Sequence, residues 1–275
     1  MAKNAQSLTT SSKKIVAGLA MAGQIATVAP NLLAETLPGK AVFAKANDEK
    51  DQDLALDLSA TEHQEIMAKL TSYVNGPAGH LEEESQLYLE QQLAQILDFD
   101  VRAQFEGKQL NHSIGIMGAE QHLMRFPGDS VSQHDAYQEA GMAPKRGAFS
   151  WFTEAGELTE AEIQREKYYF AVQLMYLPNW NQDYPELKPW YKYRKMVVIN
   201  PAEQLAVVGV VADAGPAMWV QKQFGGSPEV IREAKIWSNT SRGRVILLFV
   251  DDPEDQIPLG PIDISFAATL ARKSS

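Results

Sequence analysis

Two apolar runs in the last third of the chain, Lys195-Met196-Val197-Val198-Ile199-Asn200 and Leu205 through Val211, are separated by only four residues, Pro201-Ala202-Glu203-Gln204. Runs this short and this rich in valine read as strands, and a four-residue connection makes the pair a hairpin. Arg244 through Val250 reads as a further strand, and Tyr168 through Tyr176 is aromatic and β-branched enough for another. Between them Ser227 caps and Pro228 takes the first helical position of a short helix. From Gly147 onward the chain is therefore expected to be β with short interruptions.

The part before it has a different period. Ile66, Leu70, Tyr73 and Val74 recur at helical spacing until the Asn75-Gly76-Pro77 breaker, and Leu81, Tyr88, Leu89, Leu93, Ile96 and Leu97 form a second stripe. Residues 61–100 are read as a helical hairpin. Residues 101–146, with turn signals at Glu106-Gly107 and Pro127-Gly128-Asp129, are read as a loop-rich connecting segment.

The N-terminus suggests a destination. Lys13 and Lys14 precede an apolar, alanine-rich run, and Ala44-Lys45-Ala46 supplies small residues at the spacing a signal peptidase reads. Residues 1–46 are read as an export signal, which makes the protein exported, at the cell envelope or outside it. The competing reading is a leader on a cytoplasmic protein. Gln24 and Pro30 break the run short of the roughly 20 apolar residues of a transmembrane helix, so no permanent membrane span is expected after signal removal. Residues 47–60 read as an acidic linker.

Charge and cysteine content exclude several functions. A formal charge of −10 with no basic patch argues against nucleic acid as a partner. With no cysteine, disulfides, thiolate metal sites and a cysteine nucleophile are ruled out. No cofactor motif stands out, and none is expected.

The order of pieces carries a resemblance. Gly147-Ala148-Phe149-Ser150-Trp151-Phe152, then the hairpin from Lys195 to Val211, then Ala212-Asp213-Ala214-Gly215-Pro216-Ala217, a Ser-Pro-led helix and a closing strand resemble the double-psi β-barrel domain of the rare lipoprotein A family. The likeness covers roughly residues 147–252. It implies a six-stranded double-psi β-barrel over residues 147–265, related to the barrels of expansins and lytic transglycosylases. It implies peptidoglycan or another polysaccharide as partner. Asp213 matches the family's groove aspartate, whose task would be to protonate a glycosidic oxygen as the bond breaks. The chain departs from the family at two places: Leu187-Lys188-Pro189-Trp190-Tyr191 lacks the histidine expected there, and Ala214 replaces an arginine. Two readings follow. One is a lytic transglycosylase with Asp213 as its single acid, assisted by candidates among His122, Glu166, Asp183 and Asp252. The other is a wall-binding or structural envelope protein that keeps the barrel without the chemistry. A further reading of Asp213 itself is purely local, its carboxylate accepting backbone N–H groups at the turn.

Two other patterns remain. Trp180, Trp190 and Trp219 are flanked by polar or turn residues and are candidate platforms for sugar faces. His122 stands seven residues before Asp129, the spacing of a zinc pair in some peptidoglycan D,D-peptidases, but zinc needs further ligands. The one later histidine, His134, follows Asp129 too closely to come from a separate strand, so no metal site is expected. His122, Arg125 and Asp129 then read as a loop held by hydrogen bonds to the backbone or to one another.

Overall fold

The computed structural model describes residues 58–134, 140–154, 156–237 and 242–274. The export signal at 1–46 and nearly all of the acidic linker at 47–60 lie outside the described residues. In chain order the elements are α1 (Ala60–Val74), α2 (Glu83–Leu97), the short strands β1 (Val101–Arg102), β2 (Gln104–Phe105) and β3 (Lys108–Gln109), β4 (Ile114–Ala119), α3 (Glu160–Lys167), β5 (Tyr169–Val172), α4 (Tyr184–Tyr191), β6 (Lys195–Asn200), β7 (Leu205–Asp213), β8 (Phe224–Gly226), α5 (Pro228–Glu233), β9 (Arg242–Val250), β10 (Gly260–Asp263) and α6 (Phe266–Lys273).

Six strands close into a mixed barrel. β6 and β7 form the hairpin, with Asn200 opposite Leu205 and Lys195 opposite Val210. β6 also pairs antiparallel with β9, and β9 with β4. The circuit continues through parallel β4–β8, antiparallel β8–β5 and parallel β5–β7 pairs, which return it to the hairpin. β1 and β10 add short antiparallel extensions on β9 and β7.

The apolar runs do not alternate with polar residues because both faces of these strands are covered. Met196 and Val198 of β6, Val207 and Val211 of β7, and Val245, Leu247 and Phe249 of β9 join Met117, Phe170, Val172 and Phe224 in one cluster. That cluster draws on all six strands, which places it inside the barrel. The intervening residues, Val197, Ile199, Ala206, Val208, Ile246 and Leu248, face outward and meet Ile66 and Leu70 of α1 and Leu89, Leu93 and Ile96 of α2. Each such side chain, fully buried, contributes about 1.5–3 kcal/mol. Gly209 interrupts the valines of β7 for a steric reason: a Cβ there would overlap the carbonyl oxygen of Tyr168, where β5 runs alongside.

Local chemistry sets the helix ends. Ser59 caps α1 in a reciprocal box with Glu62, each accepting the other's backbone N–H. His63 Nε2 lies 2.8 Å from the Ile264 carbonyl and ties α1 to the C-terminal segment. Among the described residues, no helix is long and apolar enough to cross a membrane.

The structure departs from the sequence reading in several places. The barrel takes β4 from residues 101–146, which were expected to connect rather than to build it. Only Tyr169–Val172 of the expected strand from Tyr168 to Tyr176 is extended, and Leu174–Tyr176 closes into a 3-10 turn. Two helices, α3 and α4, stand in the region read as β with short interruptions, and α6 follows the last strand.

Candidate functional site

A second outer flank of the barrel, along β5 and β7, is covered by loops instead of helices. Tyr169 and Ala171 of β5 and Ala212 of β7 pack there against Leu123 and Phe152. α3 borders this flank. Thr159 and Glu162 form its capping box, and the Glu162 carboxylate also accepts the Glu154 amide at 2.9 Å. The helix places Glu166 in its last turn, buried and aimed at the loop that follows β4.

That loop brings four more polar side chains inward. His122 is fixed by its backbone, which donates to Gly141 O and accepts from Ala143 N. Its buried ring puts Nδ1 3.3 Å from Glu166 Oε1, and the Leu123 amide donates to the same oxygen at 3.0 Å. The Phe126-Pro127-Gly128 turn, with Gly128 at a positive φ, carries Asp129 back beneath Arg125. Arg125 grips it with two side-chain bonds of 3.0 Å and a backbone bond of 2.9 Å. The 3-10 turn Val131–Gln133 then swings His134 over both acids: Nε2 lies 2.9 Å from Asp129 Oδ2 and Nδ1 2.7 Å from Glu166 Oε2. Five residues after Asp129 are thus enough, without any separate strand, because the tight turn reverses the chain.

The electrostatics follow from these contacts. Burial opposes the charge of Glu166, but hydrogen bonds from His122 and His134 outweigh it and hold the carboxyl below the usual range. For Asp129 the same opposition is overcome by Arg125. Tyr169, packed alongside, has its phenol pushed well up by burial and by surrounding carboxylates including Glu166 and Asp213, and it donates to the Gln121 carbonyl. His134 and Glu166 line a cleft of about 520 Å³ whose other walls include Lys167, Glu229, Arg232 and Glu233. Among the described residues, His122, His134 and Glu166 are the group whose ligand atoms lie together, all within 4.8 Å.

Asp213 ends β7 and is half-buried. Its Oδ1 accepts the Ala148 amide at 2.8 Å and the Ala214 amide at 2.9 Å, so the carboxylate pins the 147–150 turn to the strand end. The ring of His122 turns to Glu166 instead. Beyond the cis Gly215-Pro216 bond, Met218 and Trp219 stand 63% and 80% exposed.

The remaining expected site residues scatter. Trp180, expected as a platform, is 7% exposed and set edge-on against Tyr184, so it packs rather than presents a face. Trp190 is half-buried under Arg194, donates to Glu106 at 2.7 Å, and lines a cleft of about 710 Å³ with Arg165, Tyr193 and Asp252. Asp252 binds Lys195 at 2.5 Å and accepts the amides of Gln256 and Ile257, which makes it the anchor of its own loop. Asp183 is exposed and accepts from Asn179 at 2.8 Å. Of the candidates for assisting Asp213, then, only His122 and Glu166 meet each other.

The sequence reading weighs His134 only against Asp129 and sets it aside, and it does not join His134 to Glu166. The signal was present: two histidines twelve residues apart bracket a Pro-Gly-Asp turn, and a capped, charged segment ends in Glu166. Compared with known proteins, the chain matches no family model, no curated protein and no solved structure.

Proposed function

We propose that the chain is an exported cell-envelope protein whose barrel, of the double-psi type and similar to that of the rare lipoprotein A family, binds peptidoglycan or a related glycan without cutting it. The observation that carries this reading is Trp219. An indole this exposed, beside exposed Met218 and six residues after Asp213 in the chain, offers a flat apolar face of the kind sugar C–H faces stack on. Asp213 contributes by shape, since its Oδ1 already serves two backbone amides. Ala214 and helix α4 supply neither the arginine nor the histidine of the active relatives.

A transglycosylase is the second reading. It is favoured by one feature: Asp213 is not fully buried, and among the described residues its Oδ2 accepts no hydrogen bond. That oxygen would carry the proton to the glycosidic bond.

The test uses the full-length protein with peptidoglycan sacculi. The binding reading expects sedimentation with sacculi, an affinity about tenfold lower for Trp219→Ala, corresponding to about 1.4 kcal/mol, and no anhydro-muropeptide in the supernatant by mass spectrometry. Anhydro products that vanish in Asp213→Asn would replace it with the catalytic reading. Absence of sedimentation and of product removes peptidoglycan as the partner.

A further inference from the structure

We propose that His122, His134 and Glu166 form a binding site for one divalent transition-metal ion of the zinc class, with Asp129 and Arg125 holding His134 in place behind it. The inference concerns the flank of the barrel along β5 and β7 and does not rest on the glycan reading.

The donor set suits such an ion. Two imidazoles and a carboxylate are the ligands zinc-class ions take, whereas calcium and magnesium favour all-oxygen shells. Ligands about 2.0–2.1 Å from a tetrahedral zinc ion stand about 3.3 Å apart. His122 Nδ1 faces one oxygen of Glu166, Oε1, at 3.3 Å and His134 Nδ1 faces the other, Oε2, and one ligand atom from each of the three residues lies within 4.8 Å of the other two, a spacing the ion would draw in. His134 Nδ1 and Glu166 Oε2 are at 2.7 Å, a distance that requires a proton between them. Loading the ion replaces both N–H···O bonds by two nitrogen–metal bonds and one oxygen–metal bond: the Nδ1 proton of His134 passes to solvent, that of His122 moves to its Nε2 or to solvent, and the His134–Glu166 pair widens by about 0.6 Å.

The surroundings are those of a ligand set, not of a lone ion pair. Metal-bound histidines commonly donate their second nitrogen to a carboxylate, which fixes the ring and its tautomer. His134 Nε2 lies 2.9 Å from Asp129 Oδ2, and Asp129 is itself fixed by Arg125 and by the amides of Arg125 and Ser130. This arrangement commits Nε2 and aims Nδ1 at Glu166. As a device for stability alone it is costly, because buried ion pairs give back in attraction about what their desolvation takes. Access is provided by the 520 Å³ cleft, on which His134 and Glu166 open while His122 lies behind them. Three protein donors leave the cleft side of a four-coordinate ion to water or to an oxygen of a bound molecule.

The full-length protein, stripped with a chelator, would be titrated with Zn²⁺ by calorimetry and with Co²⁺ by visible absorption. One ion per chain is expected, with affinity lowered at least about a hundredfold in Glu166→Gln and in His122→Ala, and about ten- to a hundredfold in Asp129→Asn, where only the outer carboxylate changes. His112→Ala, which alters a histidine elsewhere, is expected to leave binding unchanged. Folding of each variant is checked by circular dichroism. If a variant does not fold, the wild-type Co²⁺ spectrum decides: intense bands of a four- or five-coordinate site support the proposal, and the weak spectrum of aqueous Co²⁺ overturns it. Absence of stoichiometric binding, or equal affinity in wild type and Glu166→Gln, likewise overturns it.

Discussion

The two outer flanks of the barrel solve the same problem in opposite ways. Along β6 and β9, helices α1 and α2 cover the strands with aliphatic side chains, and the contact is almost wholly apolar. Along β5 and β7, a small apolar cluster is roofed by loops and the last turn of α3, which together enclose the side chains of two histidines, an arginine and two acids. Apolar burial stabilises in proportion to area and needs no particular geometry. A buried charged network gains little unless every partner is placed. The helical flank therefore holds the fold by area alone, whereas the loop flank depends on the placement of each group, the proposed metal ligands among them.

The comparison can be broken first by removing Arg125. Arg125→Ala leaves the Asp129 carboxylate buried without its guanidinium, and a loss of about 3–5 kcal/mol is expected in denaturant unfolding. A loss below about 1 kcal/mol would show that the network is solvated. On the other flank Leu93→Ala, at a fully buried position, should cost about 2–5 kcal/mol and leave Zn²⁺ affinity at the wild-type value.

Acid should separate the flanks. Burial works against the Glu162 charge, but the amides of Thr159 and Glu154 outweigh it and hold the carboxyl low. A depressed carboxyl stabilises the fold above its unfolded value, and that contribution is lost as pH falls through the folded value, below about 4.3. Hydrogen exchange in the first turn of α3 and at Glu154 should therefore rise as pH is lowered from about 4 to about 2, relative to the pH dependence of an unfolded chain. The apolar contact of α1 and α2 does not titrate, so amides in the middle of α2 should keep their protection. Equal loss of protection on both flanks would contradict this.

The smallest effect compares the two capping boxes. Ser59→Ala and Thr159→Ala should each cost about 1 kcal/mol. Thr159→Ala alone should also weaken Zn²⁺ binding, because α3 carries Glu166. Equal Zn²⁺ affinity in the two variants would detach α3 from the site.

Legibility in the sequence follows the same division. The valine runs and the four-residue hairpin loop announce β6, β7 and β9, and the leucine stripes announce the covering helices, since periodicity records which face is apolar. α3 carries a single large aliphatic residue, Ile163, beside one alanine, Ala161, so no stripe marks it, although Thr159 and Glu162 signal its start. α4 contains Pro185 and Pro189, which read as breakers, and β8 is only Phe224-Gly225-Gly226. For the site, Asp213 stands out in the sequence by its position after an apolar run; its bond from the Ala214 amide is local, whereas its bond from the Ala148 amide joins segments 65 residues apart that no local pattern connects. His134 is hard to read from sequence because five residues suggest too little separation from Asp129, and a single 3-10 turn reverses the chain within them.

A charged flank that serves metal binding and not stability should lose the one without losing the other. The most direct measurement is the unfolding free energy of the double variant Arg125→Met, Asp129→Leu, set beside its Zn²⁺ affinity. Apolar replacement of both partners is expected to leave stability at or above the wild-type value while Zn²⁺ binding falls about ten- to a hundredfold. A stability loss as large as that of Arg125→Ala, with metal binding unchanged, would show that the network is scaffolding.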